Sequence, residues 1–310
     1  MNWTETSRKL LQLAASRSQR AVEDSPGEDS VSTRGAEIEP QRRALSLCIA
    51  SGKGGTGKSI VSASLATLLA ARGRTLLLDG DFAVGNAHIL QDVAPTMTCL
   101  DVVEGRQTVR ASLTECGGEL SLLAAGSGVP RLADLSSYEI HLLASGLKEL
   151  EHELRYVVVD SAAGVSHQTL AFARSADANL IVTTPDLTAM TDAYAFLKLL
   201  LAGKPGTRVM LLVNRARDEV EAEEVARRIA RVGERFLGSA PRLIGWLPND
   251  PVVSACVNRR GSVVRLEPGS DIARALRRIA ASVLEELAAV APRGLGQELQ
   301  REVGYAVGLA

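Results

Sequence analysis

Aromatic residues are scarce in this sequence: four Phe, four Tyr and two Trp make up 3% of 310 residues. A core without rings has to be built from Leu, Val, Ile and Ala, and hydrophobic residues as a whole reach 46%. That profile suits a parallel sheet covered by helices, whose central strands are continuous aliphatic runs. Excess charge is missing too. Lys plus Arg (35) nearly balance Asp plus Glu (36), which leaves no overall field to attract nucleic acid or an anionic membrane. The four cysteines, Cys48, Cys99, Cys116 and Cys256, form no C-x-x-C pair and no metal-ligand pattern. They are expected to be small buried hydrophobes in a reducing compartment. His88, His141, His152 and His167 show no ligand spacing either. The opening "MNWTETSRKLLQLAASRSQR" carries charge where a signal peptide needs an apolar stretch. No apolar run approaches the ~20 residues of a membrane-spanning helix. A soluble, cytoplasmic protein is the expectation, long enough for one large α/β domain or two small ones.

Composition divides the chain into zones. Residues 1–22 contain a short helical pattern with Trp3, Leu10, Leu11 and Ala14 near one face. Residues 23–43 are poor in large apolar side chains and predict a flexible linker, because too little surface can be buried to offset the ordering entropy. From 44 to 290, short aliphatic runs alternate with amphipathic stretches. The runs are "LSLCIAS" (45–51), "TLLLDGD" (75–81), "LSLLAAG" (120–126), "YVVVDS" (156–161), "NLIVTTP" (179–185), "RVMLLVN" (208–214) and "RLIGWLP" (242–248). Such β–α alternation predicts right-handed crossovers and an α/β fold: a mainly parallel, twisted sheet of roughly seven or eight strands with helices on both faces. In "DIARALRRIAASVLEEL", Ile272, Leu276, Ile279, Val283 and Leu287 recur at helical spacing. The tail over 291–310 is a weak amphipathic pattern in which Leu295, Leu299 and Val303 recur every fourth residue. Its charges cancel, unlike the cationic face of membrane-surface helices, and a terminal helix packed on its own domain is the simpler expectation.

The chemistry is concentrated in "IASGKGGTGKSIVSASLA". Gly52 to Ser59 fits G-x-x-x-x-G-K-[ST], after a strand and before a helix, as a phosphate-binding loop requires. Gly54, Gly55 and Gly57 let backbone N–H groups surround phosphates, with Gly52, Thr56 and Ile60 completing the cradle. Lys58 is placed to meet the β- and γ-phosphates and the Ser59 hydroxyl to bind Mg²⁺. A phosphate loop needs only the second of the two lysines. Lys53 cannot easily reach the same phosphates from its own loop while Lys58 does, which leaves an outward direction toward the nucleotide of a second copy.

"KGGTGKS" closely resembles the deviant phosphate loop of the MinD/ParA ATPases. The resemblance implies a P-loop NTPase fold, an ATP-bound sandwich dimer, and Lys53 crossing its interface. "LLLDGDFAVGNAHIL" is similar to the first switch region of that family, with Asp79 near the metal and Asp81 holding the attacking water. "YVVVDSAAGVS" places Asp160 where the family's Walker B acid meets Mg²⁺, so the implied metal set is Ser59, Asp79 and Asp160. The GTPase motif N-K-x-D is absent: "LLVNRARD" puts Arg215 after Asn214. By resemblance, Asn214 with Pro248 and Asp250 of "LPNDPVV" frames adenine, and ATP with Mg²⁺ is the expected cofactor pair.

Within that group, "GSGVPRLADLS", "VVVDSAAGVS" and "PDLTAMTDAYAFLKLL" look like the regulators of flagellar number, the FlhG (FleN or YlxH) proteins. Ser161 replaces a usual Thr and Asp186-Leu187 a usual Thr-Ser, with no charge removed from the phosphate site. The resemblance implies a slow, partner-stimulated ATPase that is a homodimer in the ATP state. It further implies an FlhF-like GTPase and flagellar basal-body or regulatory proteins as partners, with transient contact at the inner membrane or cell pole. "SRKLLQL" is only roughly comparable to the GTPase-stimulating helix of these regulators. A positioning ATPase for another cargo, DNA or a polar apparatus, is the alternative, and a scaffold that hydrolyses too slowly to cycle is a third. Glu221, Glu223 and Glu224 intersperse the arginine-rich helical stretch near 220–236, which favours a solvated face over nucleic-acid binding.

Overall fold

The computed structural model describes residues 43–307 apart from Ala83 and Ser127. The helix expected over 1–22 and the linker over 23–43, Arg43 excepted, lie outside the described residues. Eight strands form one sheet: β1 (Leu45–Ser51), β2 (Thr75–Gly80), β3 (Leu113–Glu115), β4 (Leu120–Leu123), β5 (Tyr156–Ala163), β6 (Ala178–Thr183), β7 (Arg208–Ala216) and β8 (Arg242–Pro248). Their order is β3-β4-β2-β5-β1-β6-β7-β8. Every neighbouring pair is parallel except β3 with β4. The seven aliphatic runs all form strands. The three-residue β3 adds to these seven; "LTE" is too short to show alternation in sequence.

Burial explains the strand sequences. β2 and β6 are buried along their whole length, so both faces need apolar residues. In β1, Leu47 and Ile49 face one helical layer while Cys48 and Ala50 face the other, the period-two division of a strand. On the first side lie α1 (Lys58–Ala70), α2 (Ala87–Leu90), α8 (Pro251–Asn258), α9 (Val263–Leu266) and α10 (Asp271–Ala288). On the second lie α3 (Cys99–Val103), α4 (Ser137–Leu150), α5 (His167–Ser175), α6 (Leu187–Gly203), α7 (Glu219–Leu237) and α11 (Leu295–Val307). The five apolar residues singled out in α10 are each no more than 2% exposed. All four cysteines are free and buried.

The tail helix α11 packs against α4 and α5 through Leu295, Leu299 and Val303. Its start is tied to the body by polar contacts: Gly296 N–H donates to Glu151 Oε1, and Arg293 N–H to the buried Asp177. Among the described residues no helix is long and apolar enough to cross a membrane.

Candidate functional site: a phosphate loop beside an uncapped helix

Parallel strands bring their C-terminal ends to one edge of the sheet, where α/β folds gather ligands. β1 lies between β5 and β6, so the loop after β1 has the ends of both as neighbours. The loop turns on Gly55 (φ 79°) and Gly57 (φ 90°), in the left-handed region that favours glycine. A Cβ on Gly57 would stand 2.2 Å from Asn214 Nδ2, and one on Gly52 would stand 2.1 Å from the Asp192 backbone in α6. These glycines are thus required by conformation and by close approach.

Helix α1 begins at Lys58 with no side-chain cap on its first-turn amides and no acidic residue in that turn. Unsatisfied N–H groups and the positive end of the helix dipole leave a place for an anion. The loop, Ser59, Ile60, Asp81, Ala163 and Arg215 line a cavity of about 290 Å³. Lys58 is 6% exposed and donates from Nζ to Asp160 Oδ1 at 2.7 Å. Ser62, one turn further along α1, donates to the same oxygen at 2.9 Å. Thr56 Oγ1 is buried with no hydrogen-bond partner. An uncapped helix start, a buried cation and an orphaned hydroxyl fit a polyphosphate.

Not every residue of the expected set faces this cavity. Asp79 is fully buried: Oδ2 accepts the Ala87 amide at 3.0 Å and Oδ1 the Asp81 amide at 3.3 Å. Burial, reinforced by nearby Asp160, pushes its carboxyl up to about 7. As placed, Asp79 clamps the loop after β2 and does not line the cavity; Asp81 does. Among the described residues no group of three or more His, Cys, Asp or Glu could hold a metal. The Ser59 hydroxyl lining the cavity and the Asp160 carboxylate that Lys58 contacts are oxygen donors of the kind Mg²⁺ takes beside phosphates and waters.

Lys53 is exposed, and its Nζ donates to Thr188 Oγ1 at the start of α6 at 2.8 Å. Within one chain it therefore rests on its own subunit. Asn214 Nδ2 donates to the Thr56 carbonyl at 2.7 Å, locking the end of β7 to the phosphate loop. Asn214, Pro248 and Asp250 line a second, smaller cavity of about 60 Å³. Asp250 also caps α8 by accepting the Val252 amide at 2.9 Å. Ser62, Thr188 and Arg215 join this site from outside the set expected from the sequence. Ser62 was legible as i+4 from Lys58 on the same helix face. Thr188 carries no local signal, since only the fold brings it to Lys53.

A parallel sheet with a glycine loop and helix start at its C-terminal edge defines a P-loop nucleotide-binding protein. The chain belongs to the CobQ/CobB/MinD/ParA nucleotide binding domain family, whose model matches residues 47–263. It is similar to the antiactivator FleN of Pseudomonas aeruginosa, 33% identical over 80% of this chain and 89% of that protein. It is also similar to the flagellum site-determining protein YlxH of Helicobacter pylori, 28% identical over 78% and 82%. Among solved structures, the MinC:MinD cell division protein complex of Aquifex aeolicus matches with a TM-score of 0.64 and 25% identity. That match spans 78% of this chain and 96% of that one. The fold is that of the MinD-like P-loop proteins, and the chain is a MinD/ParA-type ATPase.

Proposed function

We propose that this protein is an ATP-driven dimerisation switch that regulates the number, placement or assembly of flagella. The observation that carries the nucleotide half is the buried Lys58 beside the uncapped start of α1. The flagellar half is supported by the similarity to FleN and YlxH. Loop amides and Lys58 bind the phosphates, and Lys58 exchanges its Asp160 contact for them. Ser59 and Asp160 would hold Mg²⁺, which when bound would neutralise phosphate charge, while Asp79 positions the loop that carries Asp81. Asp81 accepts a hydrogen bond from water and orients it for attack on the terminal phosphate. Asn214, Pro248 and Asp250 enclose the base. Val84 and Val165, on the loops after β2 and β5, and Leu187, the first residue of α6, are exposed by 61%, 42% and 73% at the phosphate edge. An apolar rim of this kind suits a second copy meeting the first face to face.

Calorimetry on Lys58→Ala tests the nucleotide half. Loss of the main cation from a loop otherwise made of amides is expected to abolish ATP binding. Unchanged affinity, or a wild-type preference for GTP, overturns it. Flagellar counts in a deletion strain test the other half, with normal number and position as the contrary result.

A further inference from the structure

We propose that Arg215 is a nucleotide-binding residue whose guanidinium holds the α-phosphate of a nucleoside di- or triphosphate. Four observations converge on it. The register of β7 against β8 slips between Asn214 and Ala216, so Arg215 is an extra residue in a bulge. Bulges re-aim side chains and recur beside functional sites. Its backbone is left-handed, φ 59°, a conformation that arginine has no intrinsic reason to adopt. Backbone strain of this sort persists where surrounding structure enforces it and clusters at ligand sites.

The third observation is position. Arg215 lines both the phosphate cavity and the cavity framed by Asn214, Pro248 and Asp250. A nucleotide spanning the two must put its α-phosphate and ribose at that junction. The fourth is charge. Arg217, two residues on, is paired with Glu221, whereas exposed Arg215 has no carboxylate partner among the described residues. A planar guanidinium with five donors matches phosphate geometry. The bulge is braced from behind: Arg215 N–H donates to Asn214 Oδ1 at 3.0 Å, while Asn214 bonds the phosphate loop.

This inference rests on the ATP-binding reading above but differs from it in what it demands. An α-phosphate contact is common to ADP and ATP, so it strengthens both equally and does not favour the dimer. The test is calorimetry with ADP and with ATP on wild type, Arg215→Ala, Arg215→Lys and Arg215→Gly, alongside thermal melts of the nucleotide-free proteins. Ala and Gly are expected to lose roughly tenfold or more in affinity for both nucleotides by the same factor, the scale of one charge-assisted hydrogen bond. Lys is expected to recover part of it. Arg215→Gly is expected to melt above Arg215→Ala, because glycine relaxes the left-handed bulge. That separates lost affinity from lost folding.

Unchanged ADP affinity in Ala and Gly means that Arg215 only shapes the bulge, and overturns the proposal. So does a loss confined to ATP, which would place the guanidinium on the second copy, or a Lys variant no better than Ala, which would mean stacking without a charge contact. A wild-type protein that binds no ADP sinks the nucleotide reading itself, independently of Arg215.

Discussion

Asp79 and Asp81 stand two positions apart, and the fold separates their tasks. Asp79 is a buried acceptor for two loop amides; Asp81 reaches the phosphate cavity. Removing an acceptor from buried donors costs about 1–3 kcal/mol per donor left unpaired. Asp79→Ala is therefore expected to lower stability by about 2 kcal/mol in melts at acidic pH, where Asp79 keeps its proton, and by less above about pH 7, where its buried charge itself costs stability. Asp81→Ala should change stability by less than ~0.5 kcal/mol, as surface-type substitutions do. It should keep ATP binding and lose hydrolysis. Denaturant melts and a phosphate-release assay on the two variants check the split. Equal stability losses, or wild-type turnover in Asp81→Ala, would show that the roles are not divided this way. The motif "DGD" marked both residues, and the resemblance put Asp79 near the metal and Asp81 on the water; the clamp that Asp79 makes on the loop was not legible. The difference comes from Ala87, eight residues on, whose amide the fold returns to Asp79.

At the scale of elements, legibility followed the length of the pattern. The central strands and α10 were readable because burial on both faces, or on one helical stripe, forces a sustained apolar pattern. The short β3 had no room for one. The tail helix was readable in its Leu295–Leu299–Val303 stripe but not in its anchors, which are residues 116 to 145 positions away. Glu151 is one anchor, only 2% exposed, and burial raises its carboxyl above the ordinary value of 4.5 against the opposing Gly296 amide and Arg43. A raised carboxyl means that the folded chain keeps a proton the unfolded chain has released. Its contribution to stability therefore falls as pH rises from about 4.5 through the folded value. Glu151→Gln keeps an acceptor for Gly296 and removes that titration. The stability of the variant relative to wild type should increase as pH rises above about 4.5 in paired denaturant melts. A difference independent of pH would mean that Glu151 titrates as an ordinary carboxylate.

At the scale of the whole molecule, the phosphate site opens on the same edge as the exposed Val84, Val165 and Leu187, and Lys53 stands there on Thr188 Oγ1. An exposed hydrogen bond to a neutral hydroxyl holds a lysine weakly, so Lys53 is free to leave it for a stronger anion. Two polyphosphates facing each other across a dimer need cations between them. Two unit charges ~4 Å apart repel by about 4 kcal/mol at an effective dielectric constant of 20. Leaving that uncompensated changes a dimer constant by a factor of roughly 10³. Lys53→Ala is thus expected to keep ATP affinity in the monomer, where Lys58 and the loop amides remain, and to lose dimerisation and hydrolysis together. Sedimentation in ATP and Mg²⁺, with Lys53→Ala placed in an Asp81→Ala background to prevent turnover, isolates the association step. A normal ATP-dependent dimer would mean that the Thr188 contact is the whole role of Lys53 and that the loop works as an ordinary phosphate loop. Monomers that still bind ATP would mean that the first lysine serves the partner, whose phosphates complete a site that one chain only half builds.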